Sequence, residues 1–395
     1  MMIFRESSHV LKKLAKGFPI VSVTGPRQSG KSTLVKEVFP EKKYVSFENS
    51  SLRKQAEEDP QDFLAQFPEG AIIDEVQRVT DIFSYLQILV DERKEVGLFI
   101  LTGSNQFEYM QNLTQSLAGR TAILKLLPFS YSEIYVENKI NLDEMLLRGF
   151  YPAIFDKKLS ETDFYPSYIT TYLERDVRQI SNIMNLSLFQ DFLELCAGRT
   201  GQVLNKNSLA NECGVSQPTI TEWITILEAS FIVYRMRPYF KNLKKRVVKS
   251  PKLYFFDTGL VCSLLNIETT EQLKRHPLRG SIFETFVVSE FLKYRYHQGQ
   301  RSNYYFYRDS SMNEVDVIID TGYGPVPLEI KSGMTINDSF FKGLDFFGKL
   351  ANRYKNSGLI YGGDRNFKYI NHEIRDYSKV YEMYEELTKD DNWKV

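Results

Sequence analysis

Eight consecutive residues, Gly25-Pro26-Arg27-Gln28-Ser29-Gly30-Lys31-Ser32, satisfy every fixed position of the phosphate-binding pattern G-x-x-x-x-G-K-[ST]. The pattern demands a strand before it and a helix after it, and both flanks comply. Residues 18–24 read as a short buried strand, and Leu34, Val35 and Val38 open an amphipathic helix. Glycines let the backbone turn tightly enough to aim several N–H groups at phosphate oxygens, and the helix N-terminus adds partial positive charge. Residues Gly25 to Ser32, with Thr33, are therefore expected to bind ATP. Lys31 is expected to reach the β- and γ-phosphates, and Ser32 to ligate Mg²⁺.

A second element follows about 43 residues after Lys31, where Ala71-Ile72-Ile73-Asp74-Glu75 is an apolar strand ending in two carboxylates. In that position Asp74 would hold Mg²⁺, and Glu75 would orient and polarise the attacking water. A third apolar strand, residues 97–102, runs into Gly103-Ser104-Asn105-Gln106. Its polar end would lie between the first two strands, so Ser104 or Asn105 is the candidate sensor of the γ-phosphate. Arg120, in the turn Ser116 to Arg120, and its rival Arg27 are candidates for a cation that stabilises transition-state charge, from the same or a neighbouring subunit. A surface ion pair is the competing role for either arginine.

These residues resemble the AAA-type ATPases of bacteria and archaea that carry an uncharacterised C-terminal domain. The resemblance rests on Thr24 to Ser32, Ile73 to Gln77, Leu101 to Ser104 and Leu117 to Arg120. It continues in Gly149 to Pro152 and Tyr172 to Val177, so it spans nearly the whole chain. It implies an ATPase.

At 395 residues one compact core is not expected, and two or three domains are. No run of about 18 apolar residues occurs, so no membrane segment is expected. The three cysteines (Cys196, Cys213, Cys262) match no metal spacing and no disulfide framework, which points to a reducing, cytoplasmic setting. The 50 basic and 50 acidic residues cancel, which excludes an all-over polyanion coat.

That cancellation is uneven. From Arg235 to Lys252 there are eight basic residues (Arg235, Arg237, Lys241, Lys244, Lys245, Arg246, Lys249, Lys252) and no acidic one, interleaved with Tyr234, Tyr239 and Phe240. Such a run suits salt-dependent contact with DNA or RNA. It adjoins a helix-turn-helix pattern in which a first helix from Ser208 ends at Gly214. Ser216 caps a second helix with Ile220, Trp223, Ile224 and Leu227 inward and Thr219, Thr221 and Glu222 outward. Residues 231–237 supply a wing strand. Before it, from Leu127 to about Met184, the pattern reads as a small helical lid, with Glu174, Arg175 and Asp176 on a helix surface.

The last third carries a helix with Glu284, a strand at 303–308, a strand with Asp316, and after a Gly-Pro turn a strand with Glu329 and Lys331 on one face. That order resembles the PD-(D/E)xK nuclease fold, which implies Mg²⁺ bound by Asp316 and Glu329, assistance from Glu284, and a water positioned by Lys331. The expected fold is thus α/β and multidomain. It comprises a P-loop AAA-type ATPase core at 1–130, a helical lid at 131–184, a winged helix-turn-helix with the basic segment at 185–255, and a restriction-endonuclease-like domain at 256–395. The expected activity is Mg²⁺-dependent ATP hydrolysis driving a switch or motor on nucleic acid, with a homo-oligomer as a candidate assembly. The alternative is a nucleotide-gated protein-docking module whose nuclease-like site is silent.

Overall fold

The computed structural model describes residues 3–103, 109, 113, 115–136, 140–173, 186–240, 247–351 and 356–389. Ser104, Asn105, Glu174, Arg175, Asp176 and the stretch 241–246 of the basic run lie outside them.

Five short strands, β1 (Ile20–Thr24), β2 (Lys43–Ser46), β3 (Ala71–Asp74), β4 (Phe99–Gly103) and β5 (Thr121–Lys125), form a parallel sheet in the order β2-β3-β4-β1-β5. β1, β3 and β4 are buried along their whole length, as near-continuous apolar runs covered on both faces must be. Successive side chains point to opposite faces. Ile73 and Leu101 therefore join Phe47, Phe83 and Leu86 on one side, while Ile72 and Ile100 join Leu11, Leu34 and Val35 on the other. The helices α1 (Ser7–Ala15), α2 (Lys31–Val38), α3 (Ser50–Glu58), α4 (Pro60–Ala65) and α5 (Ile82–Arg93) cover the two faces. Because β4 sits between β1 and β3, its C-terminal end lies between the phosphate loop and Asp74.

A second, mixed sheet runs β13-β14-β12-β11-β10-β9-β7-β8-β6. Its strands are β6 (Gln202–Val203), β7 (Val233–Pro238), β8 (Lys252–Phe255), β9 (Tyr304–Arg308), β10 (Glu314–Asp320), β11 (Pro325–Lys331), β12 (Ser357–Tyr361), β13 (Phe367–Tyr369) and β14 (His372–Asp376). The join between its halves is parallel pairing of β7 with β9, Arg237 opposite Tyr305. One sheet therefore crosses the expected boundary at 255/256.

Around it pack α6 (Leu142–Arg148), α7 (Glu161–Tyr168), α8 (Lys206–Cys213), α9 (Gln217–Ala229), α10 (Thr258–Leu264), α11 (Arg279–His297), α12 (Lys342–Leu350) and α13 (Val380–Thr388). α8 ends at Gly214, and the Ser216 hydroxyl accepts the Thr219 N–H at 3.3 Å to cap α9. Met145, Leu146 and Tyr165, from the segment expected as a lid, share one core with Val261, Phe283 and Phe286 of α10 and α11. Their apolar faces are thus satisfied by the C-terminal body. Among the described residues, no helix is long and apolar enough to cross a membrane.

Candidate functional site

The phosphate loop leaves β1 and enters α2 through Gly30, whose φ of 91° and ψ of 18° lie in the left-handed region that favours glycine. The Lys31 ammonium is folded onto the loop and donates to the carbonyls of Gly25 (3.0 Å) and Pro26 (2.7 Å). Gly25, Pro26 and Ser29 are buried, Arg27 and Ser32 half-buried, and Gln28 and Thr33 exposed. The Ser29 hydroxyl is buried and has no hydrogen-bond partner among the described residues. An orphaned donor, an ammonium on carbonyls and a helix N-terminus fit an anionic phosphate chain such as that of ATP.

Across the sheet, Asp74 is surrounded by hydroxyls. Its Oδ2 accepts Ser32 at 2.9 Å and Tyr44 at 2.5 Å, and its Oδ1 accepts Thr102. The pairing of Ser32 with Asp74 joins the two residues expected to share Mg²⁺, and this oxygen-only donor set fits that ion. Glu75 follows with φ 54° and ψ 41°, a left-handed conformation unusual for a side-chain-bearing residue, and its Oε2 accepts the Gln77 amide at 2.7 Å. Such outliers gather at functional sites because the surroundings hold them there.

Arg120 lies elsewhere. Thr121, the next residue, pairs with Ile20 at the N-terminal end of β1, whereas the phosphate loop leaves the C-terminal end. That separates them by the length of the strand, roughly 16 Å. The Arg120 guanidinium instead makes a two-pronged pair with Asp91 of α5, at 2.6 and 2.7 Å.

Arg5, two residues before α1, had no sequence signal and is almost fully buried. It donates to the Ser29 carbonyl (2.9 Å), the Leu127 carbonyl (2.7 Å) and the Glu133 carboxylate (3.1 Å). Glu133 also accepts the N–H groups of Glu6 and Ser130 at 2.8 and 2.9 Å. The phosphate loop is thereby braced from outside its own motif. Tyr44 and Thr102 were likewise missed, since neither belongs to a fixed-spacing pattern.

In the C-terminal body the structure brings Asp316, Glu329 and Lys331 into contact. A register shift between Val315 and Ile318 in the pairing of β10 with β9 falls at Asp316, and bulges of this kind re-aim side chains. The Lys331 ammonium donates to Asp316 (3.0 Å) and Glu329 (2.5 Å), and the Ile330 N–H donates to Asp316 at 2.9 Å. Gly343, in the first turn of α12, admits this arrangement, because a Cβ there would stand 2.2 Å from Glu329 Oε1. Burial by itself would raise the Asp316 pKa, but Lys331 and Lys252 hold the carboxyl down at about 2. Burial and the neighbouring Asp316 push Glu329 well above the ordinary carboxylate range. Burial pushes Glu284 up as well, with Lys252 opposing.

Lys252 is the correction to the basic run. β8 is buried along its whole length, and alternation puts Lys252 on the face toward Glu284. There its side chain is 2% exposed, with Nζ 3.0 Å from Glu284, 2.6 Å from Glu314 and 4.0 Å from Asp316. Tyr254, next on the same face, donates to Glu284. Arg235 is paired with Glu228. Arg237 and Lys249 are the exposed basic residues of the described part of the run. A count of charges along a chain carries no information about which way a strand faces.

Comparison with known proteins finds family matches over three separate stretches of the chain. Residues 17–135 match the family described as AAA domain. Residues 139–271 and 279–380 match two families, each described as a domain of unknown function (DUF8612 and DUF4143). Uncharacterized proteins of Mycobacterium bovis and Mycobacterium tuberculosis are each 29% identical over 334 residues, covering 84% of this chain and 74% of the relative. Among solved structures, the Walker-type ATPase PABY2304 of Pyrococcus abyssi aligns at 14% identity and a TM-score of 0.45, over 67% of this chain and 96% of that one. The AAA match, added to the geometry of Lys31, Ser32 and Asp74, makes residues 17–135 an AAA-type P-loop ATPase domain.

Proposed function

We propose that the chain is a Mg²⁺-dependent ATP hydrolase acting as a switch or motor on nucleic acid, through its helix-turn-helix segment and a nuclease-like C-terminal body. The observation that carries the hydrolase reading is Asp74, bonded to Ser32 beside a lysine-bearing phosphate loop. Bound ATP supplies a phosphoryl group for transfer to water. Toward it, Lys31 exchanges the Gly25 and Pro26 carbonyls for phosphate oxygens, Ser32 and Asp74 hold Mg²⁺, and Glu75, steadied by Gln77, orients water and takes up its proton. Arg27 is the candidate cation within the subunit. Arg120, at the far end of the sheet, serves only across a subunit interface, so its role requires a homo-oligomer. Ser104 or Asn105 stays the candidate sensor.

The C-terminal cluster supports phosphodiester chemistry. Asp316 and Glu329 would hold Mg²⁺, Glu284 would assist, and Lys331 would position a water. The division at 1–130, 131–184, 185–255 and 256–395, with a winged helix in the third part, belongs to the same reading. Three buried free thiols suit a reducing, cytoplasmic compartment.

One observation favours a second reading, the nucleotide-gated docking module. The Lys252 ammonium already pairs with Glu284 and Glu314, the carboxylates beside Asp316, so the cluster has a built-in cation. Turnover of ATP with and without DNA or RNA, with products run on a gel, separates the readings. Stimulation lost in Glu75→Gln supports the first. Cutting that needs Mg²⁺ or Mn²⁺ and vanishes in Asp316→Ala adds the nuclease. No cleavage of any DNA or RNA with either ion supports the second.

A further inference from the structure

An open cleft of about 810 Å³ lies between the two-helix unit α8–α9 and the β9–β10 turn. Its wall includes Asn205 and Lys206 at the start of α8, Gln217 at the start of α9, Lys249 before β8, and Arg308 at the end of β9. Among the described residues that line it there is no carboxylate. Neither α8 nor α9 has an acidic residue in its first turn, where acids are favoured. Lys206 stands instead at the positive end of α8, and exposed Lys249 faces the same space. Two helix N-termini and three cations thus converge on one groove, and of the three Arg308 is paired with a carboxylate, Glu314, behind the wall.

The groove also leads somewhere. Arg308 Nε is 3.4 Å from Glu314, and the other oxygen of Glu314 is 2.6 Å from Lys252, which borders Asp316. Arg308 therefore links the cleft wall to the carboxylate–lysine cluster.

We propose that this cleft seats the sugar–phosphate backbone of a nucleic acid and delivers it to the Asp316/Glu329/Lys331 cluster. Lys206, Lys249 and Arg308 contact phosphates along the way. The proposal rests on the nucleic-acid reading given above and assigns it a place. Helix-turn-helix proteins put the N-terminal end of the second helix against bases and lay the first helix across the backbone. Here both helix starts open into the cleft, so a duplex engaged by α9 brings a phosphate chain to Lys206 and Lys249. Those two residues position and do not read sequence.

The test is fluorescence anisotropy of the full chain with labelled single-stranded DNA, duplex DNA and RNA, titrated over about 50–200 mM salt. Each lost phosphate contact lowers the salt slope by about 1 and weakens binding roughly eightfold near 0.1 M salt. Lys206→Ala with Lys249→Ala should therefore lose roughly 60-fold in affinity and about 2 in slope. Lys12→Ala with Lys13→Ala, which removes the same charge from exposed sites on α1, should leave both unchanged. Nucleic-acid binding that survives the cleft variant overturns the cleft and leaves the broader reading standing. Equal losses in the two double variants also overturn it, because the effect is then net charge. No binding of any nucleic acid at low salt overturns the cleft and the nucleic-acid reading together.

Discussion

Lys252→Met deletes a positive charge that is 2% exposed and lies within 3.0 Å of Glu284 and 2.6 Å of Glu314. At an effective dielectric of about 20, each such contact is worth roughly 6 kcal/mol of attraction, much of it offset by the desolvation of the ions. Methionine fills similar volume, so the cavity contribution is small and the loss is electrostatic. Removing one partner of a buried pair leaves uncompensated charge and costs about 3–5 kcal/mol. With an m-value of about 3 kcal/mol/M, the urea midpoint of the C-terminal body should fall by about 1–1.7 M.

The pH dependence follows from the carboxylates. Glu284 and Glu329 are raised above 4.5, so the folded state binds their protons more tightly than the unfolded chain does. Their contribution is present below the unfolded pKa and is lost as pH rises through the folded one. Without Lys252 that loss should grow, so the deficit should be small at pH 5 and full at pH 8. Added Mg²⁺ should restore stability to the variant more than to the parent, since an ion held by the cluster replaces the missing charge. Urea titrations at the two pH values, with and without Mg²⁺, measure all of this. A midpoint shift below about 0.3 M at pH 8, equal to that at pH 5, would refute the reasoning.

Three further outcomes are expected. Burial lifts Glu6 from 4.5 to about 7, so its contribution is complete below 4.5 and is lost as pH rises through 7. Discounted for its partial exposure, the slope amounts to about 1–2 kcal/mol, and Glu6→Gln should flatten thermal stability between pH 5 and 8. Arg5→Ala should cost about 3–5 kcal/mol, read by denaturant titration, and weaken ATP binding, read by a nucleotide isotherm; Arg5→Lys should recover part of both. Tyr44→Phe removes one hydroxyl from Asp74 and should lower the Mg²⁺ needed for half-maximal turnover by roughly 3- to 10-fold, with an unchanged requirement counting against a competing role for Tyr44.

The parts that were legible share one property. Gly25 to Ser32, Asp74 with Glu75, the cap at Ser216, and Glu329 with Lys331 are each contained in a few consecutive residues. Their geometry follows from a local turn, a helix start or strand alternation. The ordering of Glu284, Asp316 and Glu329 was also readable, because a sheet brings successive strands together. Less legible was everything set by how elements meet. The segment after Leu127 reads as a lid by helical spacing, yet its apolar side chains join the core of α10 and α11. Spacing reports that a face is apolar and is silent about what covers it.

By itself, then, the sequence determined a phosphate loop, the carboxylates opposite it and a carboxylate–lysine strand, because backbone geometry ties those residues together within one or two elements. Only the tertiary structure decided their company. Arg5 braces Ser29 across 24 residues and Glu133 across 128. Tyr44 reaches Asp74 across 30, and Lys252 reaches Glu284 across 32. It also parted Arg120 from the phosphate loop by the length of a strand. Contacts between distant segments depend on how elements dock, and docking is settled by the burial of whole faces, which no local pattern records.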